Sequence, residues 1–170
     1  MNVTRLFTLL ATLCLAATAM AQDGAGRGTA EVTIKGTKIS VNYGRPELKG
    51  RDLTAEAPAG TVWRLGKNEA TELTTSGPLD VAGTTLPAGK YSLWAKKLSA
   101  TEWQLAFHPK TGVWGAPALT EGYVAQMPLK LSGGGDSVEL MTVSLADAGG
   151  KAQLKVAWGK TVLTGELGVK

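Results

Sequence analysis

Residues 31–43, which read E-V-T-I-K-G-T-K-I-S-V-N-Y, decide the fold of this chain. Polar and apolar residues alternate in 31–34 and again in 39–43, and Lys35-Gly36-Thr37-Lys38 breaks the alternation between them. A period of two is typical of a half-buried strand, and a short glycine-containing break between two such runs indicates a hairpin. We therefore predict that the domain begins with two antiparallel strands.

The rest of the chain continues as short strand candidates separated by turn residues. The further candidates are residues 61–64, 71–75, 79–81, 89–96, 102–107, 124–131, 138–145, 152–158 and 160–167. Breaks rich in glycine, proline or serine lie between them, at 76–78, 82–83, 87–89, 133–136, 149–150 and 159–160. Only residues 53–59 and 117–122 could hold a helical turn or two. Because crossover helices are missing, we predict an all-β fold, an antiparallel β-sandwich or jelly roll of about nine or ten short strands.

The first 21 residues predict export. One charged residue, Arg5, precedes an apolar run at 6–17, and Ala19-Met20-Ala21 has the small-x-small pattern of a signal peptidase site. The run of about a dozen residues is too short for a membrane-spanning helix, which needs about 20. We expect cleavage after Ala21, no transmembrane anchor after processing, and a periplasmic or secreted bacterial protein.

Length and charge indicate the organisation of the processed chain. The glycine-rich residues 22–29 predict a flexible N-terminal segment, and residues 30–170 predict a single β-sandwich domain. The formal charge of +4 falls to +3 without Arg5, and the lysines and arginines are scattered. Without a basic run, binding to nucleic acid is not expected. The oligomeric state is left open.

The inventory of reactive side chains argues against several chemistries. The only cysteine, Cys14, lies in the leader after Leu13 rather than after the small residue of a lipoprotein signal, so we predict neither lipid anchor nor disulfide. His108 is the single histidine, although a catalytic zinc usually needs two or three imidazole or thiolate ligands. The aspartates are dispersed, unlike those of a calcium loop. We predict no metal site and no cofactor.

Residues 43–76 form the candidate functional region. The candidate ligand-binding residues are Arg45, Arg51, Trp63, Arg64, Asn68 and Glu69. The three arginines could donate to a small anionic ligand, Asn68 could orient it, and Trp63 or Tyr43 could form an apolar wall. Tryptophan rings also stack on sugars, so a sugar is the other candidate ligand.

A structural role for the same residues is the favoured interpretation. A guanidinium group can pair with a carboxylate or with loop carbonyls and so fix irregular backbone over the end of a sandwich. Arg64 and Glu69 flank residues 66–68 and would meet if the chain turned back there. This interpretation predicts a buried Arg64–Glu69 pair.

Two classes of function remain open. The preferred one is a non-catalytic binding domain or a structural component of the cell envelope. The alternative is a metal-independent hydrolase in which Glu69 or His108 acts as base. Convergence of Glu69 and an arginine in an open cleft would favour the enzyme, whereas a filled cluster without a pocket would favour the structural role.

Three motifs resemble one family of exported bacterial proteins, the domain of unknown function DUF2911. The motifs are Tyr43-Gly44-Arg45-Pro46 with Leu48-Lys49-Gly50-Arg51, then Val62-Trp63-Arg64-x-Gly66-x-Asn68-Glu69-Ala70-Thr71, then Leu86-Pro87-Ala88-Gly89-x-Tyr91-Ser92-Leu93. The resemblance covers about residues 31–167 and implies an exported, mostly β domain without an established activity. Relatives often carry a Tyr and then an Asp and an Arg after a Trp-Gly pair. Here residues 116–127, after Trp114-Gly115, lack that Asp and Arg.

Overall fold

Antiparallel strands dominate the structure, a computed structural model that describes residues 20–23, 26–52 and 56–170. The strands are β1 (Met20–Asp23), β2 (Arg27–Ile34), β3 (Thr37–Gly44), β4 (Val62–Trp63), β5 (Thr71–Thr75), β6 (Leu79–Val81), β7 (Thr84–Leu86), β8 (Gly89–Lys97), β9 (Glu102–His108), β10 (Ala125–Asp147) and β11 (Lys151–Val169). Within the described ranges, helical backbone occurs only at Glu56. The predicted all-β fold with little helix is confirmed.

All of these strands belong to one open sheet. Its order is β1-β2-β3-β5-β8-β9-β10-β11-β6-β7, and β4 pairs with β8 beside that path. The segment after β3 nevertheless bonds to β10: the amide of Leu48 donates to the carbonyl of Glu139, and the amide of Met141 donates to that of Pro46. Because three strands separate β3 from β10 in the sheet, the sheet must curl for these bonds to form.

The curled sheet encloses one main hydrophobic core. Ile39, Leu73, Leu105, Met141 and Leu154 come from five different strands, and each is 0% exposed. In β11, buried and more exposed residues alternate along most of the strand. This alternation is the pattern expected where one face of a sheet packs inward and the other faces water.

The predicted first hairpin is present. Strands β2 and β3 pair in register from Ile34↔Thr37 onward, and Lys35 and Gly36 have positive φ angles of 49° and 80°. Positive φ at both central residues is the geometry of a type I′ turn, which suits the twist of a hairpin. Strand β2 begins at Arg27, so the last three residues of the predicted flexible segment 22–29 form strand instead.

Four of the predicted strands prove to be two long ones. Residues 124–131 and 138–145 were expected as separate strands, but β10 runs through the glycines between them, and β11 likewise runs through Gly159. The pairing of β10 with β11 shifts register between Gly133 and Val138 and again between Val138 and Thr142. Such bulges bend a strand without ending it, which is why glycine here does not mark a turn.

Other expectations are corrected or lie outside the described residues. Residues 117–122 do not form a helix and follow a cis Ala116–Pro117 bond. Strand β7 was not predicted. In the candidate helix at 53–59, residues 53–55 lie outside the described residues.

The leader residues 1–19 also lie outside the described residues. Cleavage after Ala21 stays a prediction, and it would leave two residues of β1. In the part described, no helix is both long and apolar enough to cross a membrane.

Candidate functional site

An open cleft of about 690 Å³, here called the cationic cleft, contains four of the six predicted ligand-binding residues. Its lining residues are Pro46, Glu47, Lys49, Arg51, Glu56, Ala57, Pro58, Thr61, Trp63, Arg64, Gly66, Lys67, Asn68 and Trp158. Arg51, Trp63, Arg64 and Asn68 therefore meet at one surface. The volume lies within the range of about 300–1,000 Å³ that is usual for ligand pockets.

The loop that follows β4 is held against the end of β3 by close backbone contact. A Cβ atom on Gly44 would lie 2.1 Å from the carbonyl oxygen of Lys67, and one on Gly66 would lie 2.8 Å from the carbonyl oxygen of Gly44. Only glycine allows this approach. The Thr71 hydroxyl donates to the Leu65 carbonyl, a buried bond of 2.7 Å. Glycine and threonine in these motifs thus fix the backbone of the cleft wall.

The carbonyl of Asn68 organises the arginine beside it. It accepts one hydrogen bond from the amide of Gly115 and another from Nη1 of Arg64, both at 3.0 Å. A Cβ atom on Gly115 would lie 2.0 Å from Cδ of Arg64, so the arginine chain crosses the bare face of this glycine. The Arg64 side chain makes no other hydrogen bond or ion pair within the described part of the chain. Its Nε and Nη2 groups therefore remain available to a ligand.

A stack of aromatic and cationic side chains crosses the cleft. The Trp63 and Trp158 rings lie 5.9 Å apart at 17°, and Cζ of Arg51 lies 4.9 Å from the centre of the Trp158 ring. Arg51 also donates from Nε to the Leu48 carbonyl and from Nη2 to the Glu47 carbonyl. Packing on an aromatic face together with two backbone bonds fixes the guanidinium plane.

Positive charge predominates in the cleft. Lys49, Arg51, Arg64 and Lys67 line it, against the carboxylates Glu47 and Glu56. Nζ of Lys49 lies 3.0 Å from Oε2 of Glu47. The hydrogen bond and charge of Lys49 lower the pKa of Glu47 below its ordinary value, with a smaller contribution from the charge of Lys67. Lys67 itself has no hydrogen bond or ion pair from its ammonium group to any described residue.

Glu69 lies outside the cleft, in a separate group called here the arginine network, which comprises Arg27, Thr29, Asn42 and Glu69. Nη1 of Arg27 donates to Oε2 of Glu69 at 3.2 Å, and Nε of Arg27 donates to Oδ1 of Asn42 at 2.7 Å. The Asn42 amide in turn donates to the Thr29 hydroxyl. The predicted Arg64–Glu69 pair is therefore wrong, because the Glu69 carboxylate binds Arg27 instead.

Arg45 and Tyr43 do not line the cleft either. Arg45 donates to the carbonyl of Met141 and the hydroxyl of Thr142, and so ties the end of β3 to β10. Tyr43 is 2% exposed and belongs to the main core. The carbonyl-binding form of the predicted structural role describes Arg45 well, since its nitrogen donors are engaged with the opposite strand.

His108, the other candidate base, lies away from the cleft. Its Nδ1 accepts a hydrogen bond from the Lys110 amide, and its ring packs edge-on against Tyr123, whose pKa is raised by burial. Ser92 is opposite His108 in the β8–β9 register, but its hydroxyl is fully buried and donates to the Lys110 carbonyl. The Ser92 hydroxyl and the His108 imidazole therefore both bond to the backbone of Lys110, in the loop that follows β9.

Three cleft residues with aromatic or cationic side chains were missed as candidates. Trp158 lies in the strand candidate 152–158, where a tryptophan is typical of core packing, and it is 6% exposed while one side lines the cleft. Lys49 and Lys67 lie within the quoted motifs, each next to a glycine (Gly50 and Gly66). This position could have identified them as candidate site residues. Among the described residues, no group of three or more His, Cys, Asp or Glu side chains could hold a metal ion.

The fold and the cleft define a class: an open antiparallel β domain with a cationic, tryptophan-containing cleft at its surface. The chain belongs to the DUF2911 family of proteins of unknown function, whose family model matches residues 26–166. The resemblance in the three motifs is thereby confirmed. Neither the curated proteins nor the solved structures contain a significant match to this chain.

Proposed function

We propose that this protein is an exported, non-catalytic binding domain whose cationic cleft captures a small anionic ligand. The observation that carries the proposal is the presence of unused cationic donors on a fixed backbone. Among the described residues, the Lys67 ammonium group has no hydrogen-bond or ion-pair partner, and Arg64 uses only one guanidinium nitrogen to bind the Asn68 carbonyl. Because the Arg64 guanidinium is already held by the Asn68 carbonyl, it loses less conformational entropy on binding a ligand than an unrestrained side chain would.

The electrostatics of the cleft agree with this function. Four cationic side chains face two carboxylates, and the carboxylate of Glu47 is already neutralised by Lys49. A ligand carboxylate, phosphate or sulfate would meet Arg64 and Lys67 without displacing an internal ion pair. Charge-assisted hydrogen bonds of this kind are about twice as strong as neutral ones.

The hydrolase alternative has less support than binding. It needs Glu69 or His108 at the cleft, but Glu69 pairs with Arg27 and His108 packs against Tyr123. Neither side chain is among those that line the cleft. A general base must come within hydrogen-bond reach of the proton that it removes, and these two lie elsewhere.

A purely structural role also fits less well than binding. Arg45 and Arg51 do stabilise loop carbonyls, as a structural role requires. A filled cluster would, however, leave no open volume beside Arg64 and Lys67. We therefore assign Arg45 to the fold, and Arg64, Lys67 and Asn68 to the ligand.

The test is a titration of the protein without its first 21 residues with inorganic phosphate, sulfate and glucuronate at low ionic strength. Tryptophan fluorescence reports on Trp63 and Trp158, and calorimetry gives the affinity independently. We expect saturable binding of at least one of these anions, weakened about tenfold by Arg64→Gln or by Lys67→Gln.

Lys38→Gln is the matched control, because it removes one positive charge from an exposed ion pair between Lys38 on β3 and Glu31 on β2. It should leave the affinity within about twofold of the unsubstituted protein. Absence of saturable binding for all three anions, or equal weakening by all three substitutions, would overturn the proposal.

A further inference from the structure

A second depression of about 460 Å³, called here the side cleft, adjoins the cationic cleft. Its lining residues are Leu48, Gly50, Arg51, Asp52, Ala100, Leu131, Ser132, Gly133, Ser137, Trp158, Gly159, Lys160 and Thr161. Arg51 and Trp158 line both clefts. The two clefts therefore adjoin at the Arg51–Trp158 stack, and together they are called here the groove.

The side cleft is built by the irregular part of the β10–β11 pair. Gly133 and Ser137 lie beside the first register shift of β10, and Gly159 of β11 has a positive φ of 60° opposite Val138. Leu48 packs close to this glycine, because a Cβ atom there would lie 3.0 Å from Cδ1 of the leucine. Bulges are over-represented next to functional sites, where they redirect side chains.

The chemistry of the groove changes along its length. The cationic cleft offers free donors from Arg64 and Lys67, whereas the side cleft adds the hydroxyls of Ser132, Ser137 and Thr161 to Lys160 and Asp52. Hydroxyl and carboxylate oxygens accept hydrogen bonds, and hydroxyls also donate them. Positive charge is thus concentrated in the cationic cleft, whereas the side cleft offers both hydrogen-bond donors and acceptors.

The carboxylates in the groove restrict the ligand further. Glu47 and Glu56 would repel a ligand with a negative charge on every unit, but carboxylate oxygens can accept hydrogen bonds from ligand hydroxyls. Phosphate and sulfate groups offer mainly acceptors, which the carboxylates of the groove cannot bind. A chain with many hydroxyls and few negative charges matches both parts of the groove.

We infer that the ligand is an acidic oligosaccharide that lies along both clefts and crosses the Arg51–Trp158 stack. One uronate carboxylate binds Arg64 and Lys67 in the cationic cleft, and neighbouring neutral sugars place their hydroxyls against the side cleft. This inference rests on the proposed function and deepens it. It makes Arg51 a positioning residue between two subsites rather than the main anion contact, since two of its nitrogens already bind carbonyls.

The experiment compares five probes by calorimetry: glucuronate, a tetrasaccharide with one terminal uronate, its neutral analogue, inorganic phosphate and hexaglutamate. We expect the acidic tetrasaccharide to bind at least about 30-fold more tightly than glucuronate, and the neutral analogue and hexaglutamate to bind more weakly than the acidic tetrasaccharide. Lys67→Gln should weaken glucuronate and the acidic tetrasaccharide alike. Lys160→Gln should weaken the tetrasaccharide about fivefold more than glucuronate.

The outcomes separate this inference from the proposed function. Equal affinities for glucuronate and the acidic tetrasaccharide, or phosphate binding without saccharide binding, would overturn the inference and keep the anion site. Neutral tetrasaccharide binding as tight as that of the acidic one would also overturn it. Preference for hexaglutamate would replace the saccharide by an acidic peptide. Failure of every probe would overturn both.

Discussion

Asn68 and Glu69 are neighbours in the chain, yet they belong to two regions with opposite character. Asn68 lines the cationic cleft, where the Lys67 ammonium group and two of the three guanidinium nitrogens of Arg64 have no hydrogen-bond or ion-pair partner among the described residues. Glu69 belongs to the arginine network, where the side chains of Arg27 and Asn42 bond to one another and to the strand backbone. The same short motif therefore supplies both a residue of the proposed ligand site and a structural contact.

Backbone conformation makes this division. Leu65 and Asn68 have positive φ angles of 55° and 63°, so the chain changes direction twice between Arg64 and Glu69. Glu69 then forms a bridge with Trp114 and continues into β5. Non-glycine residues with positive φ are uncommon and often mark functional segments. The comparison shows that residue type alone cannot separate a site residue from a structural one.

The largest effect on stability is expected at the end of β3, where Gly44 contacts the backbone of the loop that carries Asn68 and Glu69. Gly44→Ala should lower the free energy of unfolding by about 3 kcal/mol or more, because the added Cβ would overlap the Lys67 carbonyl and backbone cannot move aside cheaply. Urea unfolding measures the change. Gly133→Ala is the control, since its Cβ would lie 3.8 Å from the nearest atom, and it should cost below about 0.5 kcal/mol. A tolerated Gly44→Ala would contradict the close contact.

The next prediction contrasts the two arginines. Arg27→Ala should destabilise the protein by about 2 kcal/mol, because a side chain only 19% exposed leaves the acceptors of Asn42 unpaired. Arg64→Ala should cost less than about 1 kcal/mol, because the Asn68 carbonyl keeps its bond from Gly115. Denaturant unfolding of both variants, with anion affinity measured in parallel, tests the contrast. The reverse order of stabilities would mean that the two regions have been assigned the wrong roles.

A smaller effect distinguishes the true partner of Glu69. Double-mutant cycles should give a coupling of about 0.5 kcal/mol between Arg27 and Glu69, whose carboxylate is half exposed. The coupling between Arg64 and Glu69 should be below about 0.3 kcal/mol, within the error of additivity. Unfolding of the single and double alanine variants provides both values. A large Arg64–Glu69 coupling would restore the buried pair that the sequence first predicted.

The smallest effect concerns pH within the cleft. Because Lys49 lowers the pKa of Glu47, the ionised carboxylate is favoured by folding. Its contribution to stability is therefore present above the ordinary pKa of 4.5 and is lost as the pH falls through the lowered value. Carboxyl NMR titration should show that Lys49→Gln raises this pKa, whereas Lys38→Gln leaves it unchanged. An unaltered titration in Lys49→Gln would contradict the assignment.

The sequence predicted most of the strands because their signal is local. Alternation in 31–34, 39–43 and 71–75 is visible within a few residues, and β5 has the predicted bounds. The continuity of β10 through Gly133 was not predictable in this way, because β9 and β11 pair with it from distant parts of the chain. Strand β7 was hidden because it has only three residues after the Ala82-Gly83 turn.

The site was predictable only in part. Arg51, Trp63, Arg64 and Asn68 were predicted from the density of charged, aromatic and turn residues, and the structure brings them together. Trp158 lies about a hundred residues later, and only the stacking of β11 residues beside β4 places it there. No local pattern encodes such a contact, since it depends on how the whole sheet curls.

The last residues of β11 have a consequence for the order of folding. Val169 pairs with Leu79, and Lys170 donates to the carbonyl of Pro78, so the β6–β7 hairpin joins the sheet through the C-terminal end of the chain. Closing a loop of this length is slow compared with forming a local hairpin. The β6–β7 hairpin therefore cannot join the sheet until Gly168 and Val169 have been synthesised, whereas the local β2–β3 hairpin can form before the sheet is complete.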